Sequence, residues 1–344
     1  MRPRGRVAVS IALGSALAAA PVAVRAQAPD SPPAVRDTWV LIITGVSGEP
    51  QYGKQFHEWA VGLADAVRQR HGVGEENITY LGENTERAPN RIAGRSTREN
   101  VQRELARLAE RTRAGDRVLI ALFGHGSATN TESRFNLPGP DLTATEWKAL
   151  LDRLAGRTVG FVNAASASGD FVGALSGEGR VVITATKSGF ERNETRFGRF
   201  FVDAFARDVA DVDKDGQVSL LEAFDYARRE VTRTYEEEGA LLTEHAQLDD
   251  DGDGTGTAAP DGQSGDGLLA RSFTLNSTAR VLAGADPRLR ALYADKQAIE
   301  TNLDLLRRRK AEMPAAEYEK LLETLLVALA EKNEEIKALE ERKP

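Results

Sequence analysis

The feature that most constrains the fold of this chain is a series of short, apolar, β-branched runs that alternate with amphipathic segments. Such runs are typical of strands that are buried on both faces of a sheet. They occur at 39–45, 77–81, 118–123, 158–162 and 181–186, and helical spacing of apolar residues occurs at 56–70, 97–113, 144–154 and 195–209. The alternation predicts a mostly parallel sheet with helices on both faces, joined by right-handed crossovers. We therefore expect an α/β fold, a three-layer sandwich.

Two polar motifs predict where helices begin. Ser96 is followed by Glu99, and Thr143 is followed by Glu146. In such a capping box the hydroxyl and the carboxylate bind backbone amides that have no partner in the first turn of a helix. We expect one helix to start directly after Ser96 and another directly after Thr143.

Composition bounds the size of the protein and the kind of partner it takes. With 344 residues, of which 41% are hydrophobic, the chain is long enough for one α/β core and an appendage. The formal net charge of −7 offers no basic surface, so we expect no nucleic-acid partner. The chain contains no cysteine, so packing rather than a disulfide framework must hold the core.

The first residues have the pattern of a secretory signal. An arginine-containing start is followed by a small-residue apolar stretch at 7–24, and Ala26 and Ala28 supply the small residues of a cleavage site. We predict a signal peptide at 1–28, a Pro-rich linker at 29–37 and a periplasmic or secreted mature chain. No membrane span is expected after removal of the signal.

The chemistry of the chain is predicted to lie at the ends of two strands. His125, between two glycines, follows the apolar run at 118–123, and Ser166 follows the run at 158–162. Because the carboxyl ends of parallel strands meet at one edge of a sheet, the two side chains are a candidate base and nucleophile. These segments resemble the caspase–legumain superfamily of cysteine peptidases, in which a His-Gly and an Ala-Cys-x-Ser-Gly-like segment carry the catalytic pair. Alignment on Ser168 and Gly169 puts Ser166 at the position of the catalytic cysteine.

The resemblance implies a caspase-like three-layer α/β/α sandwich over 38–275, with His125 and Ser166 as the catalytic pair. It also implies a peptide or protein ligand. The backbone amides of Gly124, Gly126 and Gly169 are candidates for holding an oxyanion. The remaining histidines, which have no comparable context, are expected to be surface or packing residues; they are His57, His71 and His245.

Serine at the thiol position leaves three interpretations of the site. A hydroxyl is far less acidic than a thiol, and it needs a base in close hydrogen-bond contact. The chain is then a vestigial peptidase that binds peptides, or an active hydrolase that uses a Ser166–His125 dyad. In the third interpretation the nucleophile is misaligned, with Ser168 as the example, or the same edge of the sheet has another function.

A twelve-residue segment at 211–222 matches the calcium loop of an EF-hand. Its candidate ligands follow the spacing of that loop, and they are Asp211, Asp213, Asp215, Gln217, Ser219 and Glu222. Helices are expected on both sides, at 200–210 and 220–235. The pattern predicts Ca²⁺ binding. A second acidic run at 249–256 has the aspartate spacing but proline at the twelfth position, and it is either a calcium site of different geometry or a flexible loop.

The last segment of the chain, 286–343, differs in character from the core. Leucines and isoleucines recur there every three to four residues between charged residues, and Met313 and Pro314 interrupt the pattern. This spacing predicts two helices that form an antiparallel hairpin or a coiled coil. The apolar stripe needs a partner, so we expect it to pack on the core or to support a homo-oligomer. In a further interpretation the core is a scaffold and these helices carry the interaction.

Overall fold

The computed structural model describes residues 37–129, 132–207, 209–212, 214, 217–262, 265–275, 287–308, 310 and 313–340. The predicted signal peptide at 1–28 lies outside the described residues, as does the predicted linker except for its last residue, Asp37. Three members of the predicted calcium loop also lie outside them, and these are Asp213, Asp215 and Gly216.

A seven-stranded sheet forms the centre of the molecule, in the order β10-β9-β8-β4-β1-β2-β3. Its strands are β1 (Thr38–Thr44), β2 (Ile78–Gly82), β3 (Gly94–Arg95), β4 (Arg117–Phe123), β8 (Thr158–Asn163), β9 (Arg180–Thr184) and β10 (Gln247–Asp249). All neighbouring strands are parallel except β9 and β10. A small antiparallel sheet contains β5 (Gly126–Ala128), β6 (Ser133–Phe135) and β7 (Leu142–Thr143). The predicted α/β class with a mostly parallel sheet is confirmed.

Helices cover both faces of the large sheet. They are α1 (Pro50–Gln69), α2 (Arg98–Arg111), α3 (Ala144–Leu151), α4 (Phe171–Leu175), α5 (Phe197–Ala206), α6 (Leu220–Glu237) and α7 (Leu268–Ser272). Side chains alternate between the two faces of a strand. Val40 of β1 therefore packs in one core with α1, α5 and α6, while the next residue, Leu41, packs in a second core with α2, α3 and α4. The two cores on opposite faces define the three layers.

The two predicted capping motifs behave differently. Thr143 and Glu146 form a full capping box at the start of α3, as predicted. At α2 the prediction was wrong by one residue, because Thr97 is the N-cap and accepts a hydrogen bond from the amide of Asn100. The hydroxyl of Ser96 is buried and donates instead to the carbonyl oxygen of Thr44 at 2.6 Å. The Ser96 hydroxyl, which the sequence pattern assigned to the start of α2, is thus hydrogen-bonded to the end of β1.

Two long helices follow the core, α8 (Pro287–Arg308) and α9 (Ala315–Glu340). The second helix begins directly after Pro314, where the sequence predicted the break. Leu289 and Leu292 of α8 pack with Ile336 near the far end of α9, and Lys332 lies 3.5 Å from Asp295. These contacts join the start of one helix to the end of the other, so the pair is antiparallel. Of the helices that the structure describes, none has both the length and the apolar character needed to cross a membrane.

Candidate functional site at the carboxyl edge of the sheet

The two predicted segments follow hydrogen-bonded neighbouring strands. Leu122 near the end of β4 is paired with Asn163 at the end of β8. His125 lies two residues beyond β4, and Ser166 lies three residues beyond β8. The parallel register therefore brings both segments to one edge of the sheet, as the sequence predicted.

The hydroxyl of Ser166 is hydrogen-bonded to the backbone of Gly126. Ser166 Oγ lies 3.3 Å from the carbonyl oxygen of Gly126, to which it donates, and 3.4 Å from the amide nitrogen of Gly126, from which it accepts. Both bonds are long, and Ser166 is buried. Among the described residues the imidazole of His125 makes no hydrogen bond to this hydroxyl. A serine nucleophile requires that contact with its base.

The imidazole of His125 is held by aromatic rings. It meets the ring of Tyr52 edge-on with 4.8 Å between ring centroids, and the ring of Phe56 at 5.1 Å. Both rings come from α1, four residues apart and therefore on one face of the helix. Neither Tyr52 nor Phe56 was assigned to the site from the sequence. Their helical spacing was the available signal, but it is also the signal of an ordinary core face.

Glycine is required where the two segments touch. A Cβ atom on Gly126 would lie 2.1 Å from the carbonyl oxygen of Ser166, far inside van der Waals contact. A Cβ atom on Gly124 would lie 2.9 Å from the ring of Phe135. Of the three glycine amides proposed for an oxyanion, that of Gly126 is the one hydrogen-bonded to the Ser166 hydroxyl.

Gly169, the third of these glycines, lies against the backbone of the segment that follows β9. A Cβ atom on Gly169 would lie 2.1 Å from the backbone of Lys187 and Ser188. The amide of Gly169 donates to the hydroxyl of Thr186 at 3.1 Å, and so does the amide of Ser168 at 2.8 Å. Thr186 was not singled out from the sequence. Its hydroxyl joins the turn after Ser166 to the segment that follows β9.

The turn after Ser166 is held in an unusual backbone conformation. Ala167 has a φ of 51°, in the left-handed region that costs about 1–2 kcal/mol for a residue other than glycine. Its amide donates to the carbonyl oxygen of Glu191 at 2.7 Å. The carboxylate of Glu191 in turn meets His245 Nδ1 at 2.5 Å and accepts from the His245 amide at 3.1 Å. His245, expected to be a surface or packing residue, therefore ties a distant segment to this turn.

The other two histidines lie away from Ser166. His57 Nδ1 is 3.1 Å from the hydroxyl of Tyr80, and burial together with nearby arginines lowers the pKa of His57. His71 is buried, with Nε2 3.2 Å from the carbonyl oxygen of Phe205. Both contacts agree with the packing roles expected from the sequence.

The described part of the predicted calcium loop closes on itself. Ser219 and Glu222 form a capping box at the start of α6, with the amide and hydroxyl of Ser219 at 2.9 and 2.8 Å from Glu222 Oε2. Glu222 Oε1 accepts from the amide of Val212 at 2.9 Å. The twelfth position of the predicted loop therefore contacts the backbone of the second position, which follows Asp211 in the sequence. The preceding helix, α5, ends at Ala206, four residues earlier than predicted.

The second acidic run brings three carboxylates together. Oxygen atoms of Asp249, Asp251 and Asp253 lie within 4.8 Å of one another. Asp249 is fully buried and accepts from the hydroxyl of Ser176 at 3.0 Å and from the amide of Gly254 at 2.9 Å. Burial raises the pKa of Asp249, and the charges of the other two aspartates raise it further. Oxygen ligands of this kind are those that Ca²⁺ prefers.

Comparison with known proteins gives distant structural likenesses. No family model and no curated protein matches the chain. It is similar to the crystal structure of protein GSU0716 from Geobacter sulfurreducens, with a TM-score of 0.41 and 15% identity over 62% of this chain and 92% of that one. It is also similar to the caspase drICE, with a TM-score of 0.35 and 12% identity over 58% of this chain and 85% of that one.

Proposed function

We propose that this chain is an exported protein of the caspase–legumain type that binds peptide segments at the Ser166 edge of the sheet and does not cut them efficiently. The observation that carries the proposal is the set of partners of the Ser166 hydroxyl. Both of its hydrogen bonds go to the backbone of Gly126, and His125 packs between aromatic rings. The site therefore has a hydroxyl and an imidazole at the two expected positions, but it lacks the hydrogen bond between them that a serine nucleophile needs.

A thiol at the same position would have different needs. A thiolate forms near neutral pH with modest help from an imidazole, whereas an alcohol must lose its proton to a base in contact during attack. The amide of Gly126 is hydrogen-bonded to the atom at this position, which is where a donor for a developing oxyanion is useful. Replacing oxygen by sulfur should therefore restore chemistry that the serine lacks.

The test is turnover of a fluorogenic peptide library by purified variants. We expect no turnover by the wild-type protein, measurable turnover by Ser166→Cys, and loss of that gain in Ser166→Cys/His125→Ala. Ser168→Cys is the matched control, since Ser168 is also buried and hydrogen-bonded but two residues away. A gain with Ser168→Cys alone would favour the misaligned nucleophile.

An active serine hydrolase is the rival interpretation. Robust wild-type turnover that disappears in Ser166→Ala would overturn the vestigial interpretation and establish the Ser166–His125 dyad. If every cysteine variant is inactive, binding of peptides to the Ser166→Ala and wild-type proteins becomes the measurement. Absence of any peptide binding would then remove the peptidase-like function altogether.

We further propose that the loop at 211–222 binds Ca²⁺. The support is the contact of Glu222 with the amide of Val212, which brings both ends of the loop together. The candidate ligands in the described part are Asp211, Gln217, Ser219 and Glu222. A cation there would link the end of α5 to the start of α6, so its effect would be on stability rather than on any chemical step.

Thermal unfolding with Ca²⁺ and with a chelator tests the calcium proposal. We expect Ca²⁺ to raise the melting temperature, and Glu222→Gln to remove most of the shift. Asp251→Asn is the matched control, because it removes one carboxylate charge from the other acidic run. If Asp251→Asn removes the shift and Glu222→Gln does not, the cation binds at 249–253 instead. An unchanged melting curve in the wild-type protein would exclude both sites.

The helices α8 and α9 support a second candidate role, in self-association. One side of α9 packs on α8 through Ile336, yet Leu326 and Val327 of the same helix are 44% and 52% exposed. An exposed apolar side on a long helix favours a second protein surface. We propose that a second copy of this chain covers it. The size of the protein in solution, with and without 286–344, is the measurement.

A further inference from the structure

The turn that follows Ser166 takes its shape from a distant segment of the chain. Its three successive backbone amides all donate to the segment 186–191, which follows β9. The amide of Ala167 donates to the carbonyl oxygen of Glu191 at 2.7 Å. The next two amides donate to the hydroxyl of Thr186, at 2.8 and 3.1 Å. The position of the turn therefore depends on where the segment 186–191 is held.

Glu191 anchors this segment through its side chain, which is only 12% exposed. Its Oε2 atom accepts from the amide of Lys187 at 3.0 Å and from the amide of His245 at 3.1 Å. Its Oε1 atom lies 2.5 Å from His245 Nδ1 and 3.7 Å from Lys187 Nζ. Hydrogen bonds to a carboxylate are stronger than those between neutral groups. Glu191 is therefore fixed to the segment that precedes β10.

The segment that precedes β10 holds the loop between β9 and α5 at two places. His245 contacts Glu191 in the first half of the loop. Its neighbour Glu244 accepts from the amides of Arg196 and Phe197, where α5 begins, at 2.9 and 3.2 Å. The strand β10 is itself hydrogen-bonded to β9. The loop is therefore fixed to the sheet through two consecutive residues.

The turn needs this support because of the backbone angle of Ala167. Its φ of 51° lies in the left-handed region, which a residue with a Cβ atom disfavours. The two hydrogen bonds of the Ser166 hydroxyl are long, at 3.3 and 3.4 Å, and hold the turn weakly. Without the carbonyl oxygen of Glu191, Ala167 would leave this region. Ser166, which directly precedes it, would then move away from Gly126.

We propose that Glu191 is a positioning residue for the Ser166 edge of the sheet, and that His245 holds Glu191 in place. Glu191 keeps Ala167 in the left-handed conformation, and this conformation keeps the side chain of residue 166 against the amide of Gly126. The use of this arrangement in binding a peptide rests on the proposed function. The positioning itself can be measured without any peptide.

The test uses the thiol of Ser166→Cys, which is the only thiol in the protein because the natural chain has no cysteine. A hydrogen bond from the Gly126 amide stabilises the thiolate, so loss of that contact raises the thiol pKa. We expect His245→Ala to raise it by about one pH unit, a tenfold change in proton affinity. His245→Asn offers a side-chain amide donor in place of Nδ1 and should leave most of the pKa unchanged. The ultraviolet absorbance of the thiolate measures each value.

Two further variants separate positioning from a general loss of stability. Adding Ala167→Gly to His245→Ala should reverse at least half of the rise in the thiol pKa, because glycine adopts a positive φ without strain. His71→Ala is the matched control, since it removes another histidine, one that contacts the carbonyl oxygen of Phe205. It should lower the melting temperature and leave the thiol pKa unchanged. An equal rise in His71→Ala would overturn the positioning role.

Hydrogen exchange of the Ala167 amide, followed by NMR with Ser166 in place, is an independent measurement. We expect His245→Ala to accelerate this exchange at least tenfold, and His245→Asn to change it little. The side chain of His245 is 37% exposed, so both variants should fold. An unchanged exchange rate together with an unchanged thiol pKa in His245→Ala would overturn the proposal.

The outcome for peptides is separate. If the wild-type protein binds a peptide from the library, His245→Ala should weaken that binding at least threefold and His245→Asn should not. Equal weakening by both variants would contradict the role of the His245 contact in peptide binding. If no peptide binds, the proposed function fails, while the thiol pKa and the exchange rate still decide whether Glu191 and His245 position the turn.

Discussion

At the scale of single residues, two positions near Ser166 require glycine because two backbone segments approach each other closely there. The structure leaves no room for a Cβ atom at Gly126 or Gly169, because other backbone atoms lie 2.1 Å from the position it would take. Backbone atoms cannot move aside as the end of a flexible side chain can. The fold therefore requires glycine at these two positions, whether or not the protein has an activity.

Gly169→Ala should destabilise the protein strongly, and Gly173→Ala should not. The Cβ atom at residue 169 would collide with Lys187 and Ser188, so we expect a loss of at least about 2 kcal/mol in unfolding free energy. Residue 173 lies in α4, and the nearest atom to its Cβ atom would be 3.6 Å away. Alanine there should be neutral or stabilising by up to about 1 kcal/mol. Urea unfolding measures both, and equal effects would contradict this explanation.

At the scale of elements, the start of α5 depends on a buried carboxyl group. Glu244 binds the amides of Arg196 and Phe197, which the first turn of α5 leaves unpaired. Burial raises its pKa from 4.5 to about 7 in the folded protein, although those amides and the Arg196 charge act in the opposite direction. The folded state therefore holds this proton to higher pH than the unfolded chain does.

The stability of the wild-type protein relative to Glu244→Gln should fall as pH rises. The contribution of the raised pKa is fully present below about 4.5 and is lost as pH rises through about 7. We expect a relative loss of about 2–3 kcal/mol across that window. Urea unfolding at a series of pH values measures it, and other titrating groups cancel in the difference. Glu238→Gln is the control, because Arg196 lowers the pKa of that exposed carboxyl group. A flat difference would show that Glu244 is not buried in solution.

Periodicity predicted the elements better than it predicted what holds them together. The alternation of apolar strands and amphipathic helices predicted a mostly parallel sheet, but it did not give the strand order, in which β1 lies between β2 and β4. The N-cap of α2 was misassigned because Ser96 and Thr97 are adjacent and both carry a hydroxyl that can cap a helix. Only the contact of Ser96 with the end of β1 distinguishes them. The contact of Glu191 with His245 joins residues 54 positions apart, and no local pattern reports such a pair.

At the scale of the whole molecule, one edge of the sheet gathers segments from distant parts of the chain. The turn after Ser166 contacts the loop after β4 and the loop after β9, and α1 supplies the rings around His125. The sequence placed the two strand ends at this edge but could not give the orientation of their side chains. In the structure the Ser166 hydroxyl is hydrogen-bonded to the backbone of Gly126, and the proposed binding role rests on this orientation.

The core should fold without the helices α8 and α9. Its two hydrophobic cores contain residues from the strands and from α1 to α7, while Leu289, Leu292 and Ile336 form a separate cluster. A chain without residues 286–344 should therefore unfold in one cooperative transition. If α9 also joins two copies, the full chain should sediment as a larger species and the shortened chain as a monomer. Leu326→Glu should reproduce the monomer in the full chain, and Glu323→Gln, at an exposed position on the same helix, is its control. An aggregated or non-cooperative shortened chain would show that the helices complete the core instead.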